Sequence, residues 1–173
     1  MSPAKSPPKS TDAIVLLKAD HREVAQLFTE FEKSATTAAR KRAIVAKVIE
    51  LLTVHTYLEN EIVYPQVREQ VPDLEDDILE SYEEHHVVDI LATELVAMDP
   101  DSERYFPKFT VLMENVRHHV KEEEQDWFPK VRAALSRSTM QEMGARMLEQ
   151  KPTAPRSPAQ PSALKKAIDA VIS

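Results

Sequence analysis

At 173 residues, with 42% apolar and 29% charged residues, the chain has the size and balance of one globular domain and is too short for two large ones. A net charge of −7 without a basic patch argues against nucleic acid as a partner, and the absence of cysteine excludes disulfides, thiolate catalysis and iron–sulfur ligation. One glycine in the whole chain leaves little from which to build hairpins or bulges, so the fold is expected to be all-α.

Residues 1–10 (MSPAKSPPKS) are rich in Pro, Ser and Lys and read as a disordered leader; without an apolar run they do not form a secretory signal. Thr11 or Asp12 caps a first helix that runs to about Lys33. A second helix is expected from about Ala38 to Arg68, a third from about Leu74 to Met98, and a fourth from near Ser102 to near Leu135. The links between them are short and two contain proline, Pro72 and Pro100. Long helices joined by short links pack as antiparallel neighbours, which predicts an up-down-up-down four-helix bundle over residues 11–150. Within that span Ser138 reads as the cap of a small extra helix carrying Met140, Met143 and Met147, packed on the bundle. Residues 151–161 (KPTAPRSPAQP) have the composition of a Pro-rich flexible linker. Over 162–173, Leu164, Ala167, Ile168, Val171 and Ile172 fall on one face of a short amphipathic helix. No apolar run approaches the ~20 residues of a membrane span, so no membrane association and a cytoplasmic location are expected.

Polar residues interrupt the apolar stripes of all four long helices. The first steps through Ile14, Leu17, His21, Val24, Phe28 and Phe31; the second through Ile44, Val48, Leu51, His55, Leu58 and Ile62, with Glu59 adjoining. The third gives Ile78, Tyr82, His85, Val88, Ala92 and Leu95, and the fourth Phe109, Leu112, Val116, His119 and Glu123. A shift of 64 residues brings the two halves into register without a gap: His21 falls on His85, His55 on His119, Glu59 on Glu123 and Pro65 on Pro129. Packing positions follow, with Val24 on Val88, Leu27 on Leu91, and Val63-Tyr64-Pro65 on Trp127-Phe128-Pro129. Each half is a helical hairpin with a histidine on its first helix and His-x-x-x-Glu on its second.

A buried polar group without a partner costs roughly 2–7 kcal/mol, and an isolated carboxylate far more. Four imidazoles and two carboxylates in one core layer would consume most of a stability of about 5–15 kcal/mol. Cations offset that cost. His at i and Glu at i+4 share a helical face, so both reach one centre. Nitrogen and oxygen donors without sulfur suit Fe, Mn or Zn, and six donors exceed the four of a closed zinc site, which favours two metals. The expected ligands are His21, His55, Glu59, His85, His119 and Glu123, with Glu59 and Glu123 as bridges. His86 is a second choice to His85. His118, Glu122, Glu124 and Asp126 read as solvated, Glu61 and Glu84 as surface residues within reach of an imidazole N–H, and Tyr57, Tyr64 and Tyr82 as packing first, with hydrogen bonding or ligation near the metals as the alternative. A metal-free interaction bundle is the bland alternative, and it leaves both core glutamates unexplained.

The pairs Asp20-His21 and E84-H85-H86, with H55-T-Y-L-E59 before Pro65 and H119-V-K-E-E123 before Phe128-Pro129, resemble the hemerythrin-like (HHE cation-binding) family over about residues 12–135. The resemblance implies a non-heme site of two Fe ions joined by two carboxylates and an oxo or hydroxo group, open to dioxygen, nitric oxide or peroxide. The family includes oxygen carriers, redox sensors, an iron-sensing ubiquitin-ligase subunit and mycobacterial members linked to peroxide removal; the pattern is nearest the mycobacterial members. Oxygen carriers supply a fifth histidine one turn from the third-helix ligand, where Ser81 and Asp89 stand here, and an aspartate where Glu123 stands. Two expectations follow: reaction with a small oxidant, with catalase-like turnover as its enzymatic form, or an iron- or oxygen-responsive module whose terminal segment docks on a partner or on the bundle.

Overall fold

The computed structural model describes residues 12–158; the expected leader and the expected terminal helix over 162–173 lie outside them. Asp12 caps α1 (Ala13–Glu32) by accepting the Val15 N–H at 3.1 Å, and Arg132 grips the same carboxylate through two nitrogens at 3.0 and 3.1 Å. Thr37 caps α2 (Ala38–Leu58) through the Arg40 N–H. A wide π-turn over Glu59–Val63 follows, then α3 (Tyr64–Gln70), a 3₁₀ turn at Pro72–Leu74, and α4 (Glu75–Ala97). Residues 99–104 form the next connection, so α5 (Tyr105–Glu122) begins three residues later than the expected Ser102; the Tyr105 N–H closes a turn on the Ser102 carbonyl. A second π-turn over Glu123–Trp127 leads into α6 (Phe128–Ala134), and α7 (Arg137–Gln150) closes the series.

The two π-turns have one cause. In a regular α-helix the N–H of residue 65 would bond the carbonyl of 61, and that of 129 the carbonyl of 125, but Pro65 and Pro129 carry no N–H and their rings crowd those carbonyls. The chain absorbs an extra residue instead: the Tyr64 N–H reaches back five residues to the Glu59 carbonyl, and the Phe128 N–H to that of Glu123. Each long helix expected over 38–68 and 102–135 is thus a single rod that widens just after its glutamate.

The helices form the expected bundle, α1 against α2 and α4 against α5, with α7 laid along α1. Two apolar clusters fill it. One gathers Leu17, Leu58, Ile62, Tyr64, Ile78, Trp127 and Phe128 together with Met140, Met143 and Met147 of α7. The other gathers Phe28, Phe31, Val48, Leu52, Leu95, Phe109, Leu112 and Val116. Along α1 the first cluster stops at Leu17 and the second starts at Val24; along α4 they stop and start at Ile78 and Val88. His21 and His85 lie in those gaps, so a polar layer separates two dry ones. No helix among the described residues is long and apolar enough to cross a membrane.

Two local expectations change. Ser136, not Ser138, caps α7, accepting the Thr139 N–H at 3.1 Å; the Ser138 hydroxyl instead donates to Glu142. The segment after α7, whose composition suggested a loose linker, packs over its described part. Lys151–Thr153 form a 3₁₀ turn, Ala154 is buried in the first apolar cluster, Lys151 pairs with Asp20 at 2.9 Å, and Arg156 pairs with Glu50 at 2.9 Å. Proline content signals a chain that cannot continue a helix; it says nothing about side chains that still find partners.

Candidate metal centre

All six residues singled out from the sequence meet in the polar layer. Glu59 and Glu123 are fully buried, and His21, His55, His85 and His119 nearly so. Their donor atoms form two overlapping groups, His21–His55–Glu59–Glu123 and Glu59–His85–His119–Glu123, and within each every atom lies within 4.8 Å of the others. Glu59 Oε2 stands 3.3 Å from His55 Nε2 and 3.2 Å from His85 Nε2; Glu123 stands 3.2 Å from His119 Nε2 through Oε1 and 3.2 Å from His21 Nε2 through Oε2. Each glutamate therefore touches one histidine of its own hairpin and one of the other. His86 is half-buried and outside both groups, while His118 faces solvent beside Glu122 at 3.1 Å.

A second ring orients the imidazoles. The Nδ1 atoms of His21, His55, His85 and His119 meet Glu124 at 2.8 Å, Asp20 at 3.3 Å, Asn60 at 2.8 Å and Glu84. Donation of the Nδ1 proton outward turns a lone pair on Nε2 inward, the tautomer a metal ligand requires. The inward nitrogens then face one another, His21 and His55 at 3.2 Å and His85 and His119 at 3.0 Å. Lone pair opposes lone pair at that distance unless a cation or a proton lies near both. Glu59 Oε1 and Glu123 Oε2 also have no hydrogen-bond partner although both are buried. Imidazole and carboxylate donors gathered in this way fit the binding of a metal cation.

In the bare chain protons take that place. Burial alone would lower the pKa of His55, but the charges of Glu59 and Asp20 outweigh it and push the imidazole up to about 10. His119 is likewise raised well above the usual histidine value, against burial, by Glu123 and Glu84. Glu59 is held well below the usual carboxylate range, again against burial, by His55 and His85. A histidine pKa raised from 6.5 to about 10 stabilises the bare fold fully below pH 6.5, and that stabilisation is lost as pH rises through about 10. A cation arriving at Nε2 must displace these protons. Uptake near neutral pH is expected to release roughly two protons per chain and to weaken as pH falls. Titration against a pH indicator in dilute buffer measures this, and uptake without proton release would contradict the assignment.

Residues outside the expected six also reach the centre. Tyr64, expected to be packing, is fully buried, and its hydroxyl lies 3.0 Å from Glu123 Oε1, 3.1 Å from His85 Nε2 and 3.4 Å from Glu59 Oε2. Burial, then the charges of Glu123 and Glu59, push that hydroxyl well above the usual tyrosine range. Glu124 and Glu84, expected at the surface, instead hold His21 and His119. The signal for the second ring was in the repeat: a shift of 64 places Asp20 on Glu84 and Asn60 on Glu124. Beside the histidines opens a chamber of about 190 Å³, walled by Val24, Phe28, Leu52, Val88 and Val116 and rimmed by the exposed Arg117 and Lys121. At roughly 30 Å³ per water, it has room for several molecules the size of dioxygen or peroxide.

Residues 12–131 match the family described as the hemerythrin HHE cation binding domain. A curated relative named DNA nickase, from Nostoc sp., is 29% identical over 121 residues, which is 70% of this chain but 34% of that protein, so the chain spans about a third of the relative's length. The crystal structure of a hemerythrin HHE cation binding domain-containing protein from Mycobacterium kansasii shares the fold, with a TM-score of 0.67 at 19% identity over 82% of this chain and 86% of that one.

Proposed function

The chain belongs to the hemerythrin HHE cation-binding family, and from that premise we propose that it is a non-heme di-iron protein that binds or reacts with a small oxidant: dioxygen, nitric oxide or peroxide. The observation that carries the proposal is the pair of buried donor groups sharing Glu59 and Glu123, next to an apolar chamber of small-molecule size. His21 and His55 would hold one iron and His85 and His119 the other, with Glu59 and Glu123 within reach of both. Manganese and zinc satisfy the same donor atoms; the redox role requires iron or manganese. Bound iron supplies one-electron redox steps and open positions for a small ligand.

The chain's own groups set the conditions for that chemistry. Asp20, Glu84 and Glu124 keep three imidazoles in the ligand tautomer. The valines and Phe28 around the chamber exclude bulk water and admit an uncharged oxidant. Disproportionation of two peroxides to dioxygen and two waters balances without an external reductant, which makes it the enzymatic form to test first.

Metal analysis and an ultraviolet–visible spectrum, before and after peroxide, test the proposal. Protein from iron-replete cells is expected to carry about two irons per chain and near-ultraviolet charge-transfer absorption. Purification without stoichiometric iron would remove the basis for the proposal. Steady oxygen evolution that disappears in His55→Ala and Glu59→Ala separates an enzyme from a binder.

A second reading, an iron- or oxygen-responsive regulatory module, is favoured by one contact. Lys151, just past α7, pairs with one oxygen of Asp20 while the other oxygen holds His55 Nδ1. A change at His55 is thereby connected to the segment that follows the bundle. If removal of residues 151–173 leaves metal response and assembly unchanged, this reading fails.

A further inference from the structure

Under the shift of 64 residues the Nδ1 partners and stacked rings of the two histidine pairs fall on one another. Glu124 on His21 corresponds to Asn60 on His85, and Asp20 on His55 to Glu84 on His119. The Phe128 ring stacks on His21 at 5.9 Å between centroids, and its counterpart Tyr64 stacks on His85 at 5.3 Å. Among the Nδ1 partners and the stacked rings, the correspondence breaks at two places, and both lie around His85. Three imidazoles back onto carboxylates, whereas His85 backs onto a neutral amide. One ring stacked on a ligand carries a hydroxyl, whereas the other carries none.

Resting on the two-cation reading above, we infer that the two positions are unequal and that Asn60 and Tyr64 make them so: the His85–His119 position holds its cation more weakly and empties first. A carboxylate accepting the Nδ1 proton raises the electron density of the imidazole and its strength as a ligand, and loss of such a partner typically costs roughly 10–100-fold in metal affinity. The amide of Asn60 accepts the same hydrogen bond without the charge. Tyr64 acts in the same direction. Its hydroxyl lies 3.0 Å from Glu123 Oε1 and 3.1 Å from His85 Nε2, which face the second position, and 3.4 Å from Glu59 Oε2, which faces both. A hydrogen donated to any of them occupies a lone pair the cation would use. At the first position Phe128 makes no such claim on Glu123 Oε2 or on His21. Neither residue is an expected ligand; both act through the ligands they touch.

Competitive titration of the full-length protein with cobalt(II) against a metal-binding indicator, followed by the visible absorption of the bound ion, tests this. The wild type is expected to bind in two steps separated by roughly 10-fold or more. Tyr64→Phe and Asn60→Glu should each tighten the weaker step, and the double variant should merge the two. Glu124→Gln, made in case Asn60→Glu fails to fold, should weaken the tighter step. A residue that served only packing would lower the melting temperature without changing the number of steps. A single step in the wild type, or a weaker step that Tyr64→Phe loosens further, would overturn the inference while leaving the two-cation reading intact. Failure to bind cobalt or iron at all would overturn both.

Discussion

Glu123→Ala is expected to leave the protein unable to retain two metals. Glu123 is fully buried, touches His119 through one oxygen and His21 through the other, and is one of the two carboxylates among the six candidate ligands. Removal of a group that merely supports a ligand typically costs roughly 10–100-fold in affinity; removal of a bridge withdraws a donor and a charge from both positions together, so the loss should exceed about 100-fold. Glu123→Gln separates charge from shape, since the amide fills the same volume without the negative charge, and it should lose metal nearly as completely. Glu59→Ala should behave alike, because Glu59 also contacts one histidine of each hairpin, His55 and His85, through Oε2. Elemental analysis of each purified variant, with circular dichroism to confirm the fold, measures the outcome. Two metals retained in Glu123→Ala would show that the glutamates are not shared ligands.

Metal removal is expected to lower the melting temperature by roughly 10 °C while leaving the helices formed. A ligand present at about 1,000 times its dissociation constant adds about 4 kcal/mol, and for a chain of this length each kcal/mol moves the melting temperature by roughly 2–4 °C. The bare fold should nevertheless persist, for two reasons. The apolar clusters on either side of the polar layer are complete without a cation. Within the layer, protons on His55 and His119 offset the charges of Glu59 and Glu123. Thermal unfolding of the loaded protein and of chelator-treated protein, monitored by far-ultraviolet circular dichroism, gives the comparison. Equal melting temperatures would mean the loaded metal is not held by the folded core. Loss of helix on chelation would mean the two clusters do not suffice.

Much of this was legible along the chain. Histidines at core positions of four amphipathic stripes announce a polar layer, because the stripe has a period of 3.6 residues and a residue on it has nowhere to point but inward. The 64-residue repeat paired the ligands, and the same repeat already paired Asp20 with Glu84 and Asn60 with Glu124, although those four had no apolar stripe to mark them. The helices expected over 38–68 and 102–135 passed over the prolines six residues past each glutamate, although a residue without an N–H must interrupt the ladder.

Other features depend on distances between helices, which no periodicity encodes. Tyr64 and Phe128 occupy equivalent positions and read alike as aromatic packing, yet only the assembled bundle places one hydroxyl among two carboxylates and an imidazole. Glu124 stands in an acidic run that reads as solvated and still reaches His21, because the π-turn at Glu123 rotates the helix by part of a turn there. Lys151 and Ala154 sit in a Pro-rich stretch and still dock, because α7 delivers them to α1. Local pattern sets which face of each helix turns inward; the approach of the helices sets which inward atoms come within bonding distance of one another. The chemistry proposed here depends on both.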